Sequence, residues 1–350
     1  MIEGPQGNME DISLIIIITY NSGDFIEGCL ESVVGQTYKN WQLVVVDNNS
    51  SDDTVRIIRD FRNQTITFKR NNFKLIHLKK NIGFAGAVNH VLFRSGRAAI
   101  NKEDFKYLIL LNPDIYLFPD ALENLTAAFR PGKDKTRPTI GACGGLILEY
   151  EKDIVQHTSG RVGPNFITYH EGAGQEYSGS GLSGGDPKDP SVQHMTPNRS
   201  NIIEADYITG AFFATVLSLF YNIGGFDRGY RPMYFEELDY CLKIKEAGWR
   251  IISELGAVCR HFEGASVKKF SQKFYCHYHK NRLRCAVINM DIMELFLKFV
   301  PAELRWLRKG ATRDQAAPLA YAYFINLVFF IYNLAIRIKN YFILNRIELK

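Results

Sequence analysis

The chain has 350 residues, 46% hydrophobic and 23% charged, with a formal net charge of +5. That length supplies one large domain or two modest ones with a buried core. The composition excludes a disordered or fibrous chain, and so small a positive excess gives no footing for a nucleic-acid partner.

Residues 1–11 read as a disordered, polar and acidic segment rather than a secretory leader. Leu14 to Thr19 is a continuous β-branched run, the pattern of a strand buried on both faces. Phe25, Ile26, Cys29, Leu30, Val33 and Val34 then recur at helical spacing. Gln42 to Val46 predicts a second strand, with a helix carrying Val55, Ile58 and Phe61 behind it. Leu75–Leu78 and Phe84–Phe93 repeat the alternation, as do Tyr107–Leu111 and Pro119–Phe129. Strands and helices alternating at this spacing predict a parallel sheet with right-handed crossovers.

Residues 172–190 are rich in Gly and Ser without a period, which predicts a long flexible loop reaching to about residue 200. Leu238, Cys241, Leu242 and Ala247 have helical spacing again, ended by Gly248. The six cysteines stand singly without a CxxC pair, so a reduced, cytosolic compartment is expected, with the thiols as small hydrophobes. Cys276-His277-Tyr278-His279 is discounted as a zinc site, because adjacent ligands without a second pair rarely close one.

Ligands of such sheets bind beyond the carboxyl ends of the strands. Those ends read Thr19-Tyr20-Asn21-Ser22, Asp47-Asn48-Asn49-Ser50, Lys79-Lys80-Asn81-Ile82-Gly83 and Asn112-Pro113-Asp114. Each alone is more often a turn or cap; four at one edge favour a site. Asp114 could hold a divalent cation against a leaving diphosphate. Asp47 could meet a base or ribose, or merely cap the helix near Thr54. Glu236-Glu237-Leu238-Asp239 is the densest carboxylate cluster. It is either a favourable first helical turn or the source of a general base.

These segments together resemble family 2 glycosyltransferases of GT-A fold, near the rhamnosyltransferase-like branch. The resemblance runs in order from about Ile12 to about Asn281. It implies a GT-A domain over 12–285, a Rossmann-like mixed, mainly parallel α/β sheet flanked by helices. Its nucleotide-binding half would be 12–150 and its acceptor half 151–285, followed by a helical extension over 286–350. It implies donor contacts from Thr19, Tyr20, Asn21, Asp47, Asn49, Asn81, Gly83, Ala85, Asn89 and Asn112, and acceptor contacts from Gly210 and Asp239. Asp114 and His261 would bind Mg²⁺ or Mn²⁺. Glu237, or its neighbour Glu236, would be the base of an inverting transfer from a nucleotide-sugar. The donor suggested is dTDP-rhamnose, otherwise a UDP-sugar; the acceptor is a glycan or lipid-linked glycan of cell-surface polysaccharide synthesis. Ala302-Glu303-Leu304-Arg305-Trp306 lacks the Gln of the processive QxxRW motif, which implies transfer of one sugar.

Two rivals stand beside this reading. A dinucleotide oxidoreductase would need G-x-G-x-x-G after the first strand, where Thr19-Tyr20-Asn21-Ser22-Gly23 stands instead. A non-catalytic glycan-binding or membrane-scaffold member would not need the four groups Asp47, Asp114, Glu237 and His261.

Pro318 to Ile336 is mostly apolar and aromatic, interrupted by Asn326 and Asn333 and flanked by basic residues. It predicts contact of residues 315–346 with a membrane surface, at the inner face of a bacterial plasma membrane, or a spanning helix. The alternative is a helix closing on the catalytic domain or on a second subunit, as in a homodimer.

Overall fold

The computed structural model describes residues 12–65, 72–93, 100–130, 138–178, 182–183, 201–262 and 270–347. The expected N-terminal segment 1–11, most of the loop 172–200 and the residues directly after Phe262 lie outside these.

The expected alternation is present as β1 (Ser13–Thr19), α1 (Ile26–Val34), β2 (Trp41–Asp47), α2 (Thr54–Gln64), β3 (Phe73–His77), α3 (Phe84–Leu92), β4 (Tyr107–Leu111), β5 (Ile115–Leu117) and α4 (Ala121–Ala127). The apolar run of β1 has a plain cause. Leu14, Ile16 and Ile18 enter one core layer, while Ile15 and Ile17 enter the other. A strand covered by helices on both faces has no polar side.

The second half adds β6 (Ile140–Glu149), β7 (Val155–His157), β12 (Ile202–Glu204), β13 (Phe212–Val216) and β14 (Arg250–His261) to the same sheet. Its order is β12-β14-β6-β13-β4-β1-β2-β3, with β5 paired to β14 and β7 to β6. The sheet is parallel from β3 to β4 and between β6 and β14, whereas β13 runs antiparallel to both neighbours. Two hairpins, β8 (Gly160–Val162) with β9 (Thr168–His170) and β10 (Glu176–Tyr177) with β11 (Leu182–Ser183), lie outside the main sheet.

Strand β6 escapes a pattern reading because it contains Gly141, Gly144 and Gly145. A Cβ on Gly145 would lie 2.1 Å from the Ala257 carbonyl oxygen and 2.5 Å from the Phe212 ring. The glycine permits close approach of the neighbouring strands instead of breaking its own.

Helices α5 (Leu217–Ile223) and α6 (Glu236–Glu246) precede β14, and α7 (Gln272–Asn289) follows it. Helix α7 crosses the domain boundary expected at residue 285, because it packs on α6 and also carries α10 (Ala316–Val328) and α11 (Phe330–Leu344). Between them, α8 (Ile292–Glu294) continues through a π-helical turn into α9 (Val300–Lys309). The apolar C-terminal run is therefore two helices bent by 67°; among the described residues no single helix is long and apolar enough to cross a membrane.

Candidate active site

Neighbouring strand ends place the first group. Thr19 stands opposite Asp47, and Asp47 opposite His77, in parallel register. Asp47 is buried and binds His77 Nδ1 at 2.7 Å, while the Ser50 amide donates to its carboxylate at 3.2 Å. The helix-capping alternative for Asp47 does not hold: the N-cap of α2 is Asp53, and the residue before it, Asp52, accepts from the Thr54 amide at 3.1 Å and from the Gly23 amide at 3.0 Å. Asn21, at φ 51°, accepts from the Ser51 amide at 2.8 Å and so ties the ends of β1 and β2 together. Tyr20 and Asn49 remain exposed at the same edge, and Thr19 Oγ1 is buried with no hydrogen-bond partner among the described residues.

Beyond β3, Asn48 and Asn81 lock two loops. Asn48 Nδ2 donates to Asn81 Oδ1 at 3.1 Å, and the Ile82 amide donates to Asn48 Oδ1 at 2.9 Å. Gly83 has φ 77°, and a Cβ there would sit 2.8 Å from the Pro232 carbonyl oxygen. That close approach packs the start of α3 against the turn that leads to α6. Ala85 is buried in the first turn of α3.

A second group forms where β4 ends. The reversal Asn112-Pro113-Asp114 feeds β5, which pairs with the last residues of β14, placing Ile115 opposite His261. The Phe262 amide donates to the Asp114 carbonyl at 3.0 Å. Asp114 Oδ1 consequently lies 3.4 Å from His261 Nε2, and Asn112 Nδ2 lies 3.3 Å from the same nitrogen. His261 Nδ1 lies 2.8 Å from Gln156 Oε1, a contact that orients the ring; the tautomer that donates there carries its lone pair on Nε2. Asp114 Oδ1 is buried and accepts no hydrogen bond among the described residues. An orphaned carboxylate oxygen beside an oriented imidazole nitrogen is a donor set that suits a divalent cation. Among the described residues no group of three or more His, Cys, Asp or Glu is placed to hold a metal ion by itself. Two protein ligands agree with cations that take their remaining oxygens from substrate phosphates and water.

The third group is joined to the second through the backbone. The Asn112 amide donates to the Ala211 carbonyl at 3.0 Å, and the adjacent Gly210 amide donates to Glu237 Oε1 at 3.2 Å. Tyr234 and Phe235 precede α6 with φ of 78° and 76°. Asn281 holds that costly stretch by donating to the carbonyls of Tyr230, Met233 and Tyr234 at 2.6–3.0 Å. The result separates two adjacent carboxylates. Glu236 turns inward and is buried, with Oε2 unpartnered among the described residues; Glu237 is partly buried beside Gly210. Burial, together with the charge of Glu237, raises the Glu236 carboxyl well above its ordinary value. Burial also raises Glu237, opposed by backbone hydrogen bonds that include the one from Gly210.

The sequence model of glycosyl transferase family 2 matches residues 14–178. An N-acetylglucosaminyl-diphospho-decaprenol L-rhamnosyltransferase of Mycobacterium tuberculosis is 24% identical over 310 residues, spanning 87% of this chain and 91% of its own. Residues 14–178 thus carry a family 2 glycosyltransferase domain. An Escherichia coli UDP-Glc:α-D-GlcNAc-diphosphoundecaprenol β-1,3-glucosyltransferase is 33% identical over 116 residues, 33% of this chain and 40% of that one.

Among solved structures, GalNAc-T7 with UDP, GalNAc and Mn²⁺ superposes with a TM-score of 0.58 at 15% identity, over 93% of this chain and 57% of that one. S. aureus TarS 1-349 in complex with UDP-GlcNAc gives a TM-score of 0.53 at 16% identity, over 94% and 89%. The fold is GT-A, and the family 2 domain with its glycosyltransferase relatives marks the chain as a glycosyltransferase, similar over most of its length to a rhamnosyltransferase; the oxidoreductase reading falls away.

Two residues expected to touch ligands face the interior of the glycosyltransferase instead. Asn89 donates to the Phe226 carbonyl at 2.7 Å and accepts from the Phe226 amide at 3.1 Å, so both ends of its amide serve the framework. Asp239 is buried and accepts from Lys243 at 2.6 Å, Asn289 at 2.8 Å and the Tyr230 hydroxyl at 3.1 Å. The first-turn spacing of the carboxylate cluster does not reveal which side chain faces in. Gln156 and His77 escape the sequence reading as partners of His261 and Asp47. Gln156 sits on the three-residue strand β7, too short to show a period, whereas His77 could have been found as the polar end of β3.

Proposed function

We propose that this glycosyltransferase moves a single sugar from a nucleotide-diphosphate donor to a hydroxyl of a lipid-linked glycan, with inversion. The observation that carries the reading is the backbone link from Asn112 through Ala211 and Gly210 to Glu237, which sets a base and an Asp114–His261 pair along one edge.

Glu237 accepts the proton of the acceptor hydroxyl as that oxygen attacks the anomeric carbon; the C–O bond to the diphosphate breaks on the opposite face. The Gly210 amide fixes the direction of the carboxylate. Tyr20 offers an exposed ring to the nucleobase, and the Asp47–His77 pair stands beside it for base or ribose contacts. Asp114 and His261 would hold Mg²⁺ or Mn²⁺. When bound, such an ion offsets the negative charge that develops on the departing diphosphate. The Mn²⁺ in the GalNAc-T7 structure supports this reading by analogy of fold.

The acceptor class follows from two relatives whose names share it: both act on an N-acetylglucosaminyl diphosphate carried by a polyprenol. We assign the same class to this chain, in polysaccharide assembly. dTDP-rhamnose is the first donor to try, followed by UDP-sugars.

The test is donor hydrolysis over a panel of nucleotide sugars with Mg²⁺, Mn²⁺ or EDTA, beside Asp114→Ala. Release of a nucleoside diphosphate from one donor, stopped by EDTA and by Asp114→Ala, is the expected result. Turnover that ignores both would remove Asp114 and His261 from the mechanism.

A further inference from the structure

Helices α10 and α11 are inside-out. The residues that face the protein include the polar Asn326 and Asn333, both buried. Asn326 donates to the Lys280 carbonyl of α7 at 2.9 Å, and Asn333 accepts from Arg284 of α7. Most of the large apolar residues face outward, Leu319 excepted: Phe324 is 63% exposed, Leu327 75%, Val328 59% and Ile331 76%. The same pattern begins earlier, with Phe296 and Leu297 each 68% exposed. A soluble surface rarely leaves so continuous an apolar patch to water. Hydrogen bonds anchor the hairpin, and its apolar atoms are left for another medium.

We propose that this face docks on the surface of an anionic lipid bilayer without crossing it. Length argues against crossing: 13 and 15 residues span roughly 20 Å each at ~1.5 Å per residue, short of a hydrocarbon core of about 30 Å. The asparagine pins to α7 also keep the hairpin against the globular domain. Charge argues for lipid over a second copy. Arg305, Arg308, Lys309, Arg313, Lys339 and Arg346 are exposed over residues 305–346 against one exposed carboxylate, Asp314, while Glu303 is buried against Arg282. A twofold dimer would bring the same basic patch against itself, whereas anionic headgroups neutralise it. Exposed Tyr321, Tyr332 and Tyr341 suit the headgroup boundary.

The experiment is flotation of the full chain with phosphatidylcholine vesicles, with and without phosphatidylglycerol, at low and high salt. A Phe324→Ser/Leu327→Ser/Ile331→Ser variant is run alongside, and sedimentation is measured without lipid. The wild type should float with the anionic vesicles and lose binding in salt. The variant should partition at least about 100-fold less, since three outward apolar side chains no longer leave water, with an unchanged thermal midpoint. The proposal is overturned if the wild type floats with neither vesicle, or if the variant floats equally well. It is likewise overturned by a lipid-independent dimer that the variant dissolves. None of these outcomes depends on sugar transfer.

Discussion

Glu236 and Glu237 are neighbours in sequence, but Glu236 is fully inward and Glu237 only partly buried, held by the Gly210 amide. Glu237 has a raised pKa, caused first by burial, so it gains basicity while keeping a hydrogen bond that aims it. Replacing it with Gln should reduce kcat by ~10²–10⁴-fold and leave donor binding intact, read by calorimetric titration beside single-turnover assays. The acid limb of the kcat/KM profile should lie above the ordinary carboxylate value of 4.5, since the base must lose its proton to work. A limb at or below that value would contradict the assignment.

Glu236 answers a different measurement. Its folded pKa is raised well above 4.5, so the folded chain holds a proton that the unfolded chain has released. Its contribution to stability is therefore complete below that value and is lost as pH rises through the folded pKa. Glu236→Gln should flatten the fall of the thermal midpoint with rising pH; an unchanged slope would show that the inward carboxyl is not the group responsible. The sequence placed both residues in a first helical turn but could not separate them. Two consecutive left-handed aromatic residues decide which faces inward, and nothing about Tyr or Phe announces that conformation.

At the scale of elements, legibility followed burial. β1, β2 and β4 were readable because helices cover both faces and force unbroken apolar runs. β6 and β14 were not, because glycine contacts and a register shift between Glu254 and Val258 interrupt the pattern. That loss mattered, since β14 delivers His261 to β5 and Asp114. The unread strand β7 adds Gln156, which orients the imidazole ring. Gln156→Ala should weaken Mn²⁺ binding about 10–100-fold, measured by quenching or titration in the presence of nucleotide, with the fold retained. Equal affinity would mean that His261 needs no such support.

Across the whole molecule, a buried clasp fixes the C-terminal helices. Arg282 is fully buried and donates to Glu303 at 2.6 and 2.7 Å, while Asn165 donates to the same carboxylate at 2.9 Å. Burial alone would raise Glu303, but Arg282 and the other hydrogen bonds hold it below the usual carboxylate range. Glu303→Ala strands a guanidinium in the interior and should cost about 3–5 kcal/mol by chemical denaturation. The Arg282→Met/Glu303→Leu double variant should recover most of that loss. The sequence showed Ala302-Glu303-Leu304-Arg305-Trp306 only as an incomplete motif. The partner of Glu303 lies one helix away, and chain spacing carries no sign of it.

Asn112 and His261 meet although 149 positions separate them along the chain. During synthesis on a ribosome the first βα units emerge long before the strand that ends at His261. A nascent chain would therefore display the loops after β1 and β2 while His261 was still unmade. On the function proposed above, sugar release would wait for the last strand of the domain, because an unfinished chain lacks the Asp114–His261 pair.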